Sequence, residues 1–588
     1  MEIYAPSAAD WYKPGHKPMY NPNTKLIFSN LTPRNDKNFA HYADNNARGV
    51  IVIGFRRMVM DSMVGMWKKF FKMKREAAVK RFDRMAKKSL GESAPSAECW
   101  GELHDLGYLP LEIRALPEGI LSPIGVPVYT IHNTIEKFFW VTNYVETVMS
   151  TESWKAITNA TAAFQYKRVA MSYALATCDN VDHVNFQCHD FSLRGLSCIE
   201  DGYKSGIAHL AAFTGTDNIL AIDAVYEYYG IDEDDFVAGS IPASEHSVAT
   251  TNISRIVKDL EEHFPHLAGD VDGLRYLAEK EFLLHFITKV VPKGYCSYVA
   301  DSYDYWTVLT RILRELKEEI MARDGRLVIR PDSGDPVKVV AGYYVATQDE
   351  WVNNSATVPE IEAVLFRNGK YVSMETLAKD TSWMRDSEGN VVDFNELTGD
   401  EFSDFIPEHE IKGSIQILWE IFGGEVNNKG YKVLDTHIGM IYGDSITVKR
   451  EIEILKRLKG NGFASSNIVF GVGSFTYQFN TRDTFGIAVK ATGCFIDDYE
   501  IMVSKEPKTD PGKRSAKGFI KVVRDEDGTL RQVDNISFNE INDEDNLLQP
   551  IFRNGDVLIP QVNGRDEDFN DIRARLDKEV MNHLIEVK

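Results

Sequence analysis

Short apolar runs rich in β-branched residues repeatedly end in a polar turn that hands over to a helix. This alternation restricts much of the chain to α/β architectures. Val184-Asn185-Phe186 leads into His189-Asp190-Phe191, with a helix of small residues over 195–212. Thr214-Gly215-Thr216-Asp217-Asn218 precedes a helix over 219–229, and Tyr298-Val299-Ala300 ends in Asp301-Ser302-Tyr303-Asp304 before a helix over 306–321. Leu327-Val328-Ile329-Arg330 is cut off by Pro331-Asp332-Ser333-Gly334. Met440-Ile441-Tyr442 stops at Gly443-Asp444-Ser445, and Ile468-Val469-Phe470 at Gly471-Val472-Gly473-Ser474. Strands joined through helices run parallel, so residues 178–479 are predicted to form an irregular α/β barrel of parallel strands and helices.

A chain of 588 residues exceeds one hydrophobic core, which implies two or three domains. Flanking segments 1–177 and 480–588 carry hairpin turns, such as Asp527-Gly528 and Asn554-Gly555, and strand candidates at 24–29, 111–116 and 126–131. They are predicted to build a second, α+β domain. A helical stretch over 55–88 mixes Met, Trp and Phe with lysines; its bland reading is a solvated face over an apolar core. Between 342 and 430 the strand–helix pattern breaks into acidic, turn-rich sequence with turns at Arg367-Asn368-Gly369-Lys370 and Ser387-Glu388-Gly389-Asn390, which reads as an inserted subdomain.

A formal charge of −21 argues against nonspecific nucleic-acid binding, while leaving room for a locally basic pocket. Six cysteines without metal-type pairing read as reduced thiols of a cytoplasmic protein. The amino-terminal residues show no secretion signal, and the apolar run at 50–55 is cut off by Arg56 and Arg57, so no membrane span is expected.

In α/β proteins ligands bind at the carboxyl ends of the strands. The strand ends here offer His189, Asp190, Phe191 and Arg194, then Asp217, Asp301, Arg330 with Asp332, and Gly443 with Asp444. A guanidinium forks onto phosphate oxygens and a neighbouring carboxylate accepts from sugar hydroxyls, so Arg330 and Asp332 suggest a sugar phosphate; the same pair also reads as a structural ion pair. Gly473 and Ser474 belong to a small-residue turn able to cradle phosphate, followed by Arg482 and Lys490. The loop Lys513-Arg514-Ser515-Ala516-Lys517 adds further cations or is a solvated turn. His246, in Pro242-Ala243-Ser244-Glu245-His246-Ser247, follows a strand candidate and opens a helix, so it too can face the mouth.

In this order the motifs resemble the type II phosphoribosyltransferase family, in its nicotinamide-using branch. The resembling pieces are Asp10-Trp11-Tyr12-Lys13, residues 111–119, Trp140-Val141-Thr142-Asn143, His189-Asp190-Phe191, Gly215-Thr216-Asp217, residues 242–247, Asp301-Ser302-Tyr303-Asp304, residues 330–334, Gly443-Asp444, Thr481-Arg482-Asp483 and residues 510–517. They span nearly the whole chain apart from the insertion and an extension after His246.

The resemblance implies a homodimer with shared sites, in which the nicotinamide ring stacks between Phe191 and Tyr12 of the partner subunit and Asp217 receives the amide N–H. It implies Arg330, Pro331 and Asp332 at phosphate and ribose, Gly443 and Asp444 at the sugar, and Gly473, Ser474 and Arg482 at the 5′-phosphate. Arg194 and His246 would meet pyrophosphate, with Lys490 and Arg34 lining the phosphate channel. His246, oriented by Asp301 or alternatively Glu245, would be phosphorylated by ATP, and Mg²⁺ would accompany phosphoribosyl pyrophosphate. The expected products are nicotinamide mononucleotide and pyrophosphate, with no nucleic acid or membrane partner. Ser474, Ala488, Leu193 and Trp11 depart from the family's residues at those positions. A nicotinate-using enzyme, a sugar-phosphate isomerase and a non-catalytic pyridine-nucleotide-binding protein are the alternatives.

Overall fold

The computed structural model describes residues 3–346, 363–367, 370–373, 405–443, 445–505 and 516–587. They fall into two compact units. Met1–Arg168, Asp190–Gly239 and Ser474–Ile585 form the first; Val169–His189, Ser240–Gly473 and Glu586–Lys588 form the second.

In the first unit both ends of the chain contribute to one seven-stranded sheet. Its order is Tyr499–Met502, Ala488–Ile496, Thr24–Thr32, Tyr129–Asn133, Leu111–Ala115, Gln549–Arg553 and Asp556–Val557, with antiparallel neighbours throughout. The interleaving of amino- and carboxyl-terminal strands matches the sequence expectation. A separate hairpin, Phe519–Arg524 with Leu530–Ile536, turns through Gly528 at a φ of 89° and sets Phe519 against Phe28 and Phe495. Compactness groups Asp190–Gly239 with this unit although its strand–helix texture reads as barrel. Arg573 of the helix Phe569–Asn582 donates to the carbonyls of Leu210 and Val237, each at 2.8 Å, and ties the segment in.

The Met- and Phe-rich stretch is helical in pieces, the last being Arg75–Leu90. Trp67, Phe70 and Phe82 gather around the buried Trp100, while Lys68 and Lys69 face solvent. A 32-residue helix, Glu146–Thr177, is the longest described element, and from Lys155 to Ala170 every residue is buried. Its polar side chains are satisfied individually. Lys155 pairs with Asp201, Asn159 donates to Ser205 Oγ and the Tyr477 carbonyl, and Thr158 and Thr161 donate to carbonyls one turn back.

The second unit holds the parallel sheet. Val469–Val472, Ile438–Tyr442, Leu327–Arg330 and Cys296–Val299 lie side by side in that order, each pair parallel. The three runs from Cys296, Leu327 and Ile438 are almost wholly buried, as expected of strands covered on both faces. Ala243 adds a parallel bridge to Ser297 beyond the last strand. Val299 pairs with Arg330, so the turns at Asp301 and Asp332 emerge together.

Two expectations shift. Val184–Gln187 is a helical turn, and the strand begins four residues later as Cys188–Asp190. The helix expected over 306–321 is broken at Leu316, which leaves the helical region. Of the inserted subdomain, the hairpin Ala363–Arg367 with Lys370–Ser373 is present; the turn at 387–390 lies outside the described residues. No described helix is long and apolar enough to cross a membrane.

Candidate active site

In the second unit three chain segments meet at the carboxyl ends of Cys296–Val299 and Leu327–Arg330. The Val299 N–H donates to Ser244 Oγ at 2.8 Å, and Arg330 Nη2 donates to the Ser244 carbonyl at 3.2 Å. These bonds hold the segment before His246 against the strand ends. His246 is the first residue of the helix His246–His263. Its Nδ1 lies 3.0 Å from Ser302 Oγ, and its Nε2 lies 3.6 Å from Asp301 Oδ1 and 3.9 Å from Asp332 Oδ2. The imidazole is 46% exposed, whereas the Asp301 carboxylate is only 5% exposed.

Asp301 ties the two turns together. Its Oδ2 accepts from the Asp332 N–H at 3.0 Å and from Ser333 Oγ at 2.7 Å, while Oδ1 is buried without a hydrogen-bond partner. Tyr442, on the neighbouring strand, donates to the carbonyls of Ser333 and Gly334 at 3.0 and 2.9 Å. Arg330 Nε lies 3.8 Å from Asp332 Oδ1, and Gly443 N–H reaches the Pro331 carbonyl at 3.5 Å. Glu245, the alternative partner for His246, instead accepts from the Ser247 hydroxyl. Asp444 lies outside the described residues.

A cleft of about 440 Å³ adjoins the same turns, lined among others by Tyr303, Asp304, Trp306, Asp335, Lys338 and Glu410. Three carboxylates to one ammonium make it unsuited to polyphosphate.

The first unit carries the remaining expected residues in two groups. Phe191 and Asp217 follow the neighbouring strands Cys188–Asp190 and Gly215–Thr216, joined where the Asp217 N–H donates to the Asp190 carbonyl at 3.0 Å. Asp190 is buried and caps its own turn by accepting from the Ser192 N–H at 2.9 Å. Asp217 and Arg194 are exposed. Ser474 and Leu193, two of the residues expected to depart from the family's pattern, have evident neighbours. A Cβ on Gly195 would fall 2.2 Å from Ser474 Oγ, and one on Gly202 would fall 2.4 Å from Leu193 Cδ1, so each larger side chain occupies room that a glycine leaves.

The second group surrounds Glu146, at the start of the long helix. Lys13 pairs with it, and Lys490 Nζ lies 3.9 Å away. Burial lowers the pKa of the Lys490 ammonium; Glu146 opposes the shift, and the nearby charges of Arg34, Lys13 and Lys505 add to it. Arg34 is fixed by a 2.7 Å bond from Nε to the Gly486 carbonyl. Tyr12 stands beside this group, 59% exposed, with its ring 5.3 Å from His16. Its phenol pKa is raised by burial and by Glu146 and Asp10, against the pull of Arg482. The cations Lys13, Arg34, Lys490 and Lys505 outnumber the carboxylates Glu146 and Asp10, leaving a positive excess suited to phosphate. Residues 513–515 lie outside the described residues.

The profile of the nicotinate phosphoribosyltransferase (NAPRTase) family matches residues 186–554. The chain belongs to this family. Among relatives, the nicotinamide phosphoribosyltransferase of Acinetobacter baylyi is 37% identical over 98% of this chain and 97% of its own length. The proteins of that name from Mycoplasma pneumoniae and Xanthomonas campestris pv. campestris are 33% and 30% identical, over 70% and 81% of this chain and 71% and 81% of their own lengths.

Family membership gives the geometry its frame. His246, Asp301, Arg330, Asp332 and Gly443, spread over two hundred residues, lie together at neighbouring strand ends. Three participants were not singled out from sequence: Ser302, Ser333 and Glu146. Ser302 and Ser333 sit inside recognised motifs, but small hydroxyls in polar turns are too common to stand out. Glu146 opens a helix that carries no periodic apolar stripe.

Proposed function

We propose that this chain is a nicotinamide phosphoribosyltransferase, a pentosyltransferase that joins nicotinamide to the ribosyl group of phosphoribosyl pyrophosphate and releases pyrophosphate. The observation that carries the reading is the convergence of Arg330, Asp332 and His246 at one mouth, in a chain matching nicotinamide phosphoribosyltransferases along nearly its full length.

The pyridine nitrogen of nicotinamide has a free lone pair, so its attack on C1 of the ribose needs no general base. The demand on the protein is to stabilise an oxocarbenium-like transition state and a departing pyrophosphate. Arg330 supplies fixed positive charge there, because its bond to the Ser244 carbonyl holds the guanidinium in place. Asp332 would accept from ribose hydroxyls. The cations around Glu146 would meet the 5′-phosphate, contributed across a homodimer interface together with Tyr12 of the partner subunit, whose counterpart here is exposed. No group of three or more candidate metal ligands gathers among the described residues. A Mg²⁺ ion would therefore be held chiefly by the donor's own phosphate oxygens, with Asp332 beside it, and would supply charge neutralisation of the leaving group.

The family's description names nicotinate, and that is the competing reading. Asp217 favours the amide: it accepts a hydrogen bond from the carboxamide N–H, whereas nicotinate would set two carboxylates against each other. His246, exposed and flanked by Asp301, is proposed to take phosphate from ATP. Phosphohistidine would then favour binding of the donor and its metal ion. All six cysteines are free thiols, which fits a cytoplasmic enzyme. The test is to supply the purified protein with phosphoribosyl pyrophosphate, Mg²⁺ and nicotinamide and to follow nicotinamide mononucleotide and pyrophosphate. Equal amounts of both are expected; absence of the nucleotide would refute the assignment.

A further inference from the structure

We propose that Ser302 is a positioning residue for His246, fixing the imidazole with its proton on Nε2 and the lone pair of Nδ1 available to a phosphoryl donor. This deepens the phosphohistidine reading above and rests on it. The argument begins with a buried atom lacking a partner. Asp301 Oδ2 is occupied by the Asp332 N–H and the Ser333 hydroxyl, but Oδ1 has no hydrogen bond, and His246 Nε2 lies 3.6 Å from it. A carboxylate can only accept, so a hydrogen bond that closes this gap requires the proton on Nε2. Asp332 Oδ2, 3.9 Å from the same nitrogen, adds a second acceptor. Neutral imidazole then carries its lone pair on Nδ1, where Ser302 Oγ lies 3.0 Å away and donates its hydroxyl proton.

The two sides of the ring therefore differ in charge. An anionic γ-phosphate approaching Nε2 would meet two carboxylates, whereas the hydrogen-bonding group at Nδ1 is the neutral Ser302 hydroxyl. Asp301 and Ser302 are adjacent in one turn, so a single backbone conformation holds both nitrogens. That turn is braced by Ser333 on Asp301 and by Tyr442 on the Ser333 carbonyl.

In the step itself the Nδ1 lone pair forms the N–P bond to the γ-phosphorus. The bond from that phosphorus to the β,γ-bridging oxygen breaks, and its electron pair leaves on ADP. The positive charge left on the ring is shared through Nε2–H with Asp301 Oδ1, and the displaced Ser302 hydroxyl is free to donate to a phosphoryl oxygen.

The test compares wild type with Ser302→Ala and Ser302→Thr in single-turnover phosphorylation by γ-labelled ATP, with ATP affinity and thermal midpoint measured alongside. Removing the hydroxyl is expected to slow phosphoryl transfer by about tenfold or more while ATP affinity changes by less than about twofold, a loss in the chemical step. Threonine, which keeps the hydroxyl, is expected to recover most of the rate. A merely structural serine would instead lower the midpoint and weaken ATP binding in parallel. Wild-type phosphorylation rates in Ser302→Ala, or a threonine variant as slow as alanine, would overturn the role of Ser302 and leave the phosphohistidine standing. A wild-type protein that takes up no phosphate would overturn both.

Discussion

Gly443 leaves the space that Asp332 occupies: a Cβ on Gly443 would lie 2.4 Å from Asp332 Oδ1 and 3.7 Å from Arg330 Cδ. Gly443 is not among the glycines with positive φ, so the constraint is steric alone. Gly443→Ala is therefore expected to push the Asp332 carboxylate out of place with little loss of fold stability, under about 1 kcal/mol. The KM for phosphoribosyl pyrophosphate should rise by about tenfold, through a misplaced sugar contact, while the KM for nicotinamide changes far less. Steady-state kinetics with each substrate varied in turn would check this; equal effects on both substrates would point to general disruption.

Shared sites can be tested by mixing subunits. Tyr12→Ala and Phe191→Ala each remove one wall of the proposed ring-binding slot, from opposite protomers. Equal mixing with free exchange makes half the dimers hybrid, each with one intact site, so about a quarter of wild-type activity should return. Activity that stays at the level of the single variants, with exchange demonstrated, would mean that each chain builds its own site.

Asp217 is the residue on which base choice is proposed to turn. Asp217→Asn removes the repelling charge but keeps a polar group at the carboxamide. Nicotinamide use should fall and nicotinate use rise, moving the ratio of kcat/KM by about tenfold or more. A ratio that does not move would remove Asp217 from the account.

A second carboxylate gives a stability test. Glu279 is buried in the extension after His246, where Tyr298 donates to it at 2.9 Å; burial pushes its pKa up to about 7, with Asp304 adding to the rise. A raised carboxyl pKa means that the folded state holds a proton which the unfolded chain releases near pH 4.5. Stability contributed by this group is thus present at low pH and lost as pH rises through the window from about 4.5 to 7, by about 3 kcal/mol in all. Glu279→Gln should flatten the wild-type decline across this window in denaturant titrations. Parallel pH profiles for the two proteins would contradict the assignment.

The sequence made the site legible where chemistry and punctuation coincide. Arg330 ends a β-branched strand and Asp332 lies inside the proline–glycine turn that follows. His246 was placed by its position between a strand candidate and a helix, and it meets Asp301 across more than fifty residues. What stayed hidden has physical reasons. The helix Glu146–Thr177 is buried on almost every side, so it lacks the polar face that makes a helical period visible. The short strand Cys188–Asp190 borrows its neighbours' sheet, while the more apolar Val184–Gln187 closes into a helical turn. Ser302 meets His246 through a side-chain approach that no spacing rule encodes.

The central claim is tested most directly by a competition in one vessel. The protein would receive phosphoribosyl pyrophosphate, Mg²⁺ and equal concentrations of nicotinamide and nicotinate, with and without ATP, and both mononucleotides would be quantified together. Nicotinamide mononucleotide is expected to dominate in both conditions and to form faster with ATP. A predominance of nicotinate mononucleotide would contradict the account.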